Sequence, residues 1–578
     1  MSTIRRVVAG RASPVWLEQA AMVTLTLLAA FFAFEEIGAL VYTGGLVLTN
    51  VEAVLYLGLG FWLLACAARG TLPRAPRSVA AAALVWLVVM VLSALAAPSH
   101  RLVALRFVGR MASGVLLVWA VYDLARTARR WQILARVLAL GGLAVGLLGL
   151  GEAAGVPAVV RFLASFKFAP TYVGELLRVS STLSYATIAS MVLEMTCPLL
   201  LAWVLTARRR PVRLLLACGL LATLTAQLLT LTRGGVIALW AAFGLMAAWA
   251  AWQRRRYVLL GALAAAGALL AVVVAVLVLI PATRYRLASE SVEAWYSATY
   301  NTPAQLEARA GETVSVPLTL ANAGVRTWET GGSNPYMLSY HLVRPDGAPV
   351  ELEGQRIPLP HDVLPGATVE VLAPLAVPES PGEYVIEWDM LQEDVTWFSD
   401  RDSPPGLTRL TVYEGLAPDT RQPSPADSSP APGYASSVDA RSRFSLWRVG
   451  WSMFLERSIL GVGPDNYRWL HGAYSGTPGK GTRVHANNLY VEWLADTGAL
   501  GFAAFLWLTW QLIRHAYGLL RGSREPGWIA WRLALLGGLA AWYIHGVFDC
   551  FYEFTPTYVA LAFLCGLALA SPSAGQEG

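Results

Sequence analysis

A chain of 578 residues that is 56% hydrophobic and only 14% charged, with a mean hydropathy of +0.50, cannot fold as one soluble globule and reads as a polytopic membrane protein. Its formal net charge of +6 follows from arginine gathered in short loops beside anionic lipid, so nucleic acid is not an expected partner. The five cysteines (Cys66, Cys197, Cys218, Cys550 and Cys565) all fall outside the long hydrophilic region and form no CxxC spacing, so neither a disulfide framework nor a metal is expected.

Crossing a hydrocarbon core takes about 20 apolar residues. Runs of that kind lie near 15–35, 51–68, 79–97, 105–124, 133–153, 183–205, 214–232, 235–252, 258–280, 489–511, 529–548 and 556–571. They predict about 12 transmembrane helices, nine before the hydrophilic region and three after it. The stretch 38–50 reads as external and amphipathic. Basic clusters at Arg5, Arg6 and Arg11, at Arg69, Arg74 and Arg77, at Arg126, Arg129 and Arg130, at Arg208 to Arg210 and Arg213, at Arg254 to Arg256, and at Arg514, Arg521 and Arg524 all fall on one side of that topology. Short cytoplasmic loops collect Lys and Arg, so both termini are placed in the cytoplasm and the loops 155–182 and 281–488 outside. The first span reads as an uncleaved signal anchor in the cytoplasmic membrane.

The expected organisation is a membrane domain over 1–281, an extracytoplasmic β domain over 303–414, a linker over 415–441, an amphipathic helix and motif loop over 442–488, and a second membrane part over 489–578. Between 303 and 414, β-branched residues alternate with polar ones in ETVSVPLTLANAG, YMLSYHLVRPDG, GATVEVLAPLAVP and GEYVIEWDML, with Pro and Gly at the turns. The pattern, with Asn322, Gly324 and Trp328 and later Gly382, Tyr384, Ile386 and Trp388, is similar to an Ig-like β-sandwich. Fold alone assigns it no function; contact with a glycan or partner protein and a spacer role are equal readings. The segment 416–437 is rich in Pro, Ser and Ala and reads as an extended linker. FSLWRVGWSMFLERSIL returns to helical spacing, with Phe444, Trp447, Trp451, Phe454 and Leu455 on a face suited to the membrane interface.

GVGPDNYR at 461–468 and HANNLYVEWLADTGALGF at 485–502 then lead back into the membrane. If a helix starts near 486, His485, Glu492 and Asp496 fall within about 20° of one line. Ionised groups near a bilayer centre cost about 2.5–3.5 kcal/mol each even on lenient scales, so such a stripe faces protein or a cavity. A buried polar seam that locks helix packing is the competing account; function is favoured for His485, the two readings are level for Glu492, and packing is favoured for Asp496.

The order of features resembles the O-antigen ligase and polymerase superfamily: many spans, a long external loop between late spans, GVGPDNYR on that loop, and H-x-x-N-L-Y-x-E-x-x-A-D-x-G-x-x-G entering the next helix. The resemblance covers about 100 to 570 without the β domain, and 461–502 is its specific portion. Many members read H-x-H-N, whereas this chain has His485, Ala486, Asn487 and Asn488, which leaves His485 alone. The resemblance implies a glycan donor carried on polyprenyl pyrophosphate at the outer leaflet, a glycolipid, glycan or protein acceptor, and no metal, nucleotide sugar or other cofactor.

A lipid pyrophosphate needs cations. Arg178, before the sixth span, and Arg233, in the short turn LTRGG, are the leading phosphate ligands, since a guanidinium fork can hold two oxygens; snorkelling to headgroups is the alternative. Arg468 and Arg483 on the motif loop are further candidates. Arg161, Lys167, Arg106 and Arg110 are equally accounted for by an interfacial helix. Glu194 is an intramembrane carboxylate whose other reading is pairing with a neighbouring helix, and Asn488 is an acceptor or structural candidate. Asp549 and Glu553, in HGVFDCFYEFTP, are candidates for acceptor contact or acid/base work, with solvation in a turn as the alternative. His485, with Glu492 beside it, is expected to take the acceptor's proton. A polymerase of the same superfamily, a multi-span transporter or flippase and, last, a surface scaffold remain alternatives.

Overall fold

The computed structural model describes residues 14–36, 41–43, 46–167, 171–173, 176–279, 295–331, 335–345, 349–351, 354–393, 396–399, 403–414, 443–475 and 484–572. The Pro/Ser-rich linker, Arg483 and the basic cluster at Arg5, Arg6 and Arg11 lie outside the described residues. Contacts divide the chain into two compact units, 1–171 with 177–283 and 443–578, and 172–176 with 284–442.

Each apolar run forms a helix in the first unit: α1 (Pro14–Phe31), α2 (Asn50–Ala68), α3 (Arg77–Ala96), α4 (Arg101–Leu124), α5 (Ala128–Ala153), α7 (Ala186–Thr206), α8 (Arg210–Leu229), α9 (Arg233–Trp252), α10 (Arg256–Leu279), α13 (Leu489–Gly522), α14 (Pro526–His545) and α15 (Thr555–Leu569), with the short α6 (Pro157–Leu163) after α5. Among the described residues, ten are long and apolar enough to cross a membrane, and α1 and α15 are shorter apolar helices. The protein is therefore a multi-pass membrane protein. Residues 41–43 and 46–48 pair as a short antiparallel hairpin, β1 with β2, where the sequence suggested only an amphipathic stretch.

The spans bury small and aliphatic residues inward and leave Leu63, Leu64, Val88, Leu92, Leu270 and Val274 exposed on the bundle surface, as lipid-facing helices require. The most buried spans are α7 and α14, which pack on each other. Helix α11 (Arg443–Glu456), followed by the short α12 (Tyr467–Tyr474), buries Leu446, Val449 and Met453 and exposes Phe444, Trp451 and Leu455. Trp447 and Phe454, which the spacing puts on the same face, are half-buried, and Trp447 Nε1 donates to Ala486 O.

The second unit holds the β structure. With β5 (Ala298–Asn301), β6 (Gln305–Arg309), β7 (Thr313–Asn322), β8 (Tyr336–Val343), β9 (Pro349–Glu351), β10 (Ile357–Pro358), β11 (Thr368–Ala376), β12 (Gly382–Gln392), β13 (Thr396–Trp397) and β14 (Gly406–Tyr413), a seven-stranded sheet runs β10-β8-β12-β14-β6, with β9 on β8 and β13 on β12, and a three-stranded sheet runs β11-β7-β5. Strands β7, β8, β11, β12 and β14 supply one apolar core in which Val316, Leu318, Leu338, Tyr340, Val371, Ile386, Trp388 and Leu410 meet. Alternate residues point inward because side chains alternate across a strand. Asn322 locks the turn of the N-x-G stretch: its amide donates to Arg326 O and Val363 O and its carbonyl oxygen accepts from Gly324 N–H.

Candidate functional site

The polar site is assembled around a break in a helix. Helix α13 begins at Leu489, capped by Asn488, whose side-chain oxygen accepts from the backbone N–H of Tyr490 and Val491. The same side chain donates to Val547 O at 3.0 Å, so Asn488 is a cap and a tie to the turn after α14. At Gly498 the backbone leaves helical geometry, with φ of 64°. A Cβ there would meet Ile459 O at 2.4 Å, and only glycine tolerates both the space and the left-handed backbone.

The break gives the motif loop its seat. Ala499 N–H donates to Ser458 O and Leu500 N–H to Ile459 O, while Val462 and Gly463 N–H donate to Ala495 O and Asp496 O. Gly461, with φ of 70°, passes so close that a Cβ would lie 2.4 Å from the Asp496 backbone. The Asp496 carboxylate then accepts from Asp465 N–H at 2.7 Å and Tyr467 N–H at 2.8 Å. These bonds explain the pairing of GVGPDNYR with ADTG in sequence: Asp496 and the glycines clamp one segment on the other. Replacing Gly498 with Ala is expected to lower stability by about 1–3 kcal/mol through backbone strain and to unseat this loop, read as a lower apparent melting temperature in detergent; an unchanged melting temperature would contradict the clamp.

Clamped in this way, the loop and the helix entry converge on the turn after α14. His485 lies before the cap rather than on the helix, so the expected helical stripe is not how its contact arises. Instead Glu492, one turn into α13, reaches back: its Oε1 accepts from His485 Nδ1 at 2.7 Å and its Oε2 from Ala486 N–H at 2.9 Å. On the opposite side of the ring, His485 Nε2 lies 2.8 Å from Glu553 Oε2. Arg468 bridges Asp465 at 2.6 Å and the same Glu553 oxygen at 3.3 Å. Phe107, Pro464, Trp493, Cys550 and Tyr552 complete the lining of the cleft around these groups.

The charges follow from this geometry. Burial works against a charged imidazole at His485, but Glu492 and Glu553 overcome it and hold its pKa well above the ordinary value. Both ring nitrogens face carboxylates, so His485 is an imidazolium that donates two hydrogen bonds. Burial would raise Glu553, yet His485, Arg468 and Arg110 together keep it below its usual value, as a carboxylate. Burial pushes Asp465 up to about 6 despite Arg468.

Arg178 reaches the turn that precedes Arg233. Arg178 ends β4 (Leu176–Arg178); its Nε donates to Thr230 O at 3.1 Å and its terminal nitrogen to Thr232 Oγ1 at 3.2 Å. Its fork therefore rests on the turn that delivers Arg233 as the first residue of α9. Behind the strand, Lys167 pairs with Glu152, which accepts from Ser180 and Ser181 N–H. Beside the turn, a Cβ on Gly234 would meet His545 Cδ2 at 2.8 Å and Phe548 Cβ at 3.2 Å. Asn488 and Leu489 bond to Val547 O and Gly546 O of that same segment. The glycine that follows Arg233 and the residues that follow His485 thus pack on the one turn that leads to Glu553.

Glu194 is deeply buried, accepting from Ser190, Gln227 and His545. That is the helix pairing its sequence position allowed, and Glu194 is not among the residues that line the cleft of His485. Gly235 fits against this cluster, since a Cβ would meet Ser190 Oγ at 2.0 Å. Asp549 accepts from Cys550 N–H and does not line the cleft. Among the described residues no group of three or more His, Cys, Asp or Glu side chains is arranged to hold a metal ion. The participation of Arg110 in the field at Glu553 had no signal in local sequence.

Among the described residues, ten helices long and apolar enough to cross a membrane, two shorter apolar ones and a charged cleft define a multi-pass membrane protein with a polar site. Residues 395–506 match the family model described as O-antigen ligase. The match supports a membrane enzyme of the ligase and polymerase group. No curated protein matches the chain. Among solved structures, the Pseudomonas fluorescens alkylpurine DNA glycosylase AlkC, bound to DNA containing an abasic site analogue, aligns at 11% identity over 69% of this chain and 98% of that one with a TM-score of 0.14, a likeness that carries no argument.

Proposed function

We propose that the protein is a glycosyltransferase that moves a glycan from a polyprenyl pyrophosphate carrier to an acceptor hydroxyl at the outer face of the cytoplasmic membrane, in the manner of an O-antigen ligase. The observation that supports this reading is the turn 545–554, which carries Glu553 of a carboxylate–imidazolium–carboxylate relay and packs, at His545 and Phe548, against the glycine that follows Arg233. The acceptor O–H attacks the anomeric carbon, the bond from that carbon to the phosphate oxygen breaks, and polyprenyl pyrophosphate leaves with the electron pair. Arg178 and Arg233 stabilise the charge that grows on the leaving oxygen.

The acceptor's proton goes to the relay. The sequence assigned this role to His485 with Glu492 beside it, but an imidazolium with both nitrogens donating has no lone pair to offer. Glu553 is therefore the receiving group: both of its bonds fall on Oε2, which leaves Oε1 to face a substrate. His485 and Glu492 orient it. Arg468, held between Asp465 and Glu553, belongs to this relay rather than to the phosphate ligands.

The pH dependence separates the two assignments. A raised folded pKa means that the His485 cation and its contacts are fully present below about 6.5 and are lost as pH rises through the raised value. In an Asp465→Asn background, which removes the titration near 6, the rate is expected to hold through pH 6.5 and to fall on the alkaline side. A rate that climbs with pH about a midpoint near 6.5 would mark His485 as an ordinary general base and refute the relay.

Polymerisation differs only in the acceptor, a second lipid-linked repeat unit. The histidine-led motif at the helix entry favours ligation. A polymerase would yield a ladder on polyprenyl lipid, whereas a ligase transfers the chain off the lipid in one step.

A further inference from the structure

A second polar cluster lies against the flank of Glu553, on residues that the transfer step above does not use. Arg110 stands nine residues into α4, about 14 Å along the helix from its start at 1.5 Å per residue, where a charge needs partners. Its guanidinium donates to Thr555 Oγ1 at 2.5 Å, lies 3.7 Å from Glu52, and sits with its central carbon 5.0 Å from the centre of the Tyr558 ring. Phe107, three residues earlier on the same helix face, lines the cleft of His485 and Glu553. Glu35, just after α1, is close enough to Arg110 and Thr555 for both to act on its carboxyl.

Three buried polar atoms stay without a hydrogen-bond partner here: the Nε–H donor of Arg110, the Oε1 acceptor of Glu35 and the hydroxyl of Tyr558, among which Arg110 and Glu35 are of opposite kind. Buried polar groups are otherwise satisfied almost everywhere in folded proteins, and exceptions point to a role. A ligand that offers both an acceptor and a donor would complete the pair, and a sugar hydroxyl offers both. The charge balance names the substrate. Glu52 lies 3.7 Å from the one guanidinium and Glu35 sets a second carboxyl near it, so the cluster offers no net positive charge to a phosphate and suits a neutral polyol.

Resting on the glycosyl-transfer reading, we propose that Glu35, Glu52 and Arg110 form the subsite that holds the hydroxyl groups of the acceptor sugar and delivers one of them to Glu553. The donor's pyrophosphate is held at Arg178 and Arg233. Glu35 and Arg110 then set which acceptor is used, while Glu553 performs the proton transfer.

The test is binding of a panel of methyl glycosides (hexoses, N-acetylhexosamines and heptoses) to the full-length protein in nanodiscs, followed by saturation-transfer NMR, with undecaprenyl pyrophosphate binding measured in parallel. Wild type is expected to bind at least one glycoside, and Glu35→Gln, an isosteric change, to weaken it about tenfold with undecaprenyl pyrophosphate binding unchanged. Arg110→Met is expected to do the same. Absence of glycoside binding by wild type, unchanged affinity in Glu35→Gln, or parallel loss of glycoside and undecaprenyl pyrophosphate binding overturns the subsite. Glycoside binding that Glu35→Gln weakens, without any transfer from a lipid-linked donor by wild type, would uphold the subsite and refute the transferase.

Discussion

Glu553→Gln is expected to reduce turnover by about 10²–10⁴-fold, the usual worth of a positioned general base, while leaving the protein folded. The amide keeps the shape of the side chain but cannot take a proton from the acceptor. It also removes one of the two carboxylates that hold His485 as a cation, so the imidazole should return toward an ordinary titration. Steady-state rates with a lipid-linked oligosaccharide, together with the His485 chemical shift followed against pH, read both effects. Turnover within a few-fold of wild type would remove Glu553 from the chemistry. Normal titration of His485 in wild type would remove the relay.

Arg233→Ala is expected to cost about 10²–10³ in kcat, the scale seen when one donor to a developing oxyanion is lost. The side chain enters from the first residue of α9, and Gly234 and Gly235 behind it are packed against His545 and the Ser190–Glu194–Gln227 cluster. The arginine is therefore aimed by a rigid turn, and loss of its side chain should leave that turn in place. Arg233→Lys should recover only part of the rate, because an ammonium is a point charge and cannot hold two phosphate oxygens as a planar fork does. A full rate in Arg233→Ala would move the phosphate site elsewhere and leave Arg178 as a structural tie.

The membrane architecture was open to reading because each span is a long local signal: hydropathy over 20 residues needs no knowledge of neighbours, and all twelve runs are helices. The motif was legible for a similar reason, since GVGPDNYR and the segment led by His485 are short and dense in polar groups. The partner of His485 was not. Glu553 stands 68 residues later (553 minus 485), and only the return of the chain through α13 and α14 brings the two together. Reading one continuous helix from near 486 also missed the break at Gly498. A glycine inside an apolar run usually signals close backbone approach or a bend, and here both occur, but the loop that approaches lies about 40 residues upstream. Arg110 carried no local mark that separated it from an interfacial arginine; its meaning comes from Thr555 and Tyr558, more than 400 positions away. Local periodicity names elements, whereas the charge state of a site depends on what tertiary packing puts beside it.

The most direct test is transfer by the purified wild-type protein, with a synthetic polyprenyl-pyrophosphate-linked oligosaccharide as donor and lipid products followed by mass, alongside Glu553→Gln. Glycosyl transfer with release of polyprenyl pyrophosphate by wild type, and near-complete loss of both in the variant, is the expected result. Movement of the intact lipid-linked oligosaccharide across proteoliposome membranes, without any covalent change, would contradict the account and establish a transporter instead.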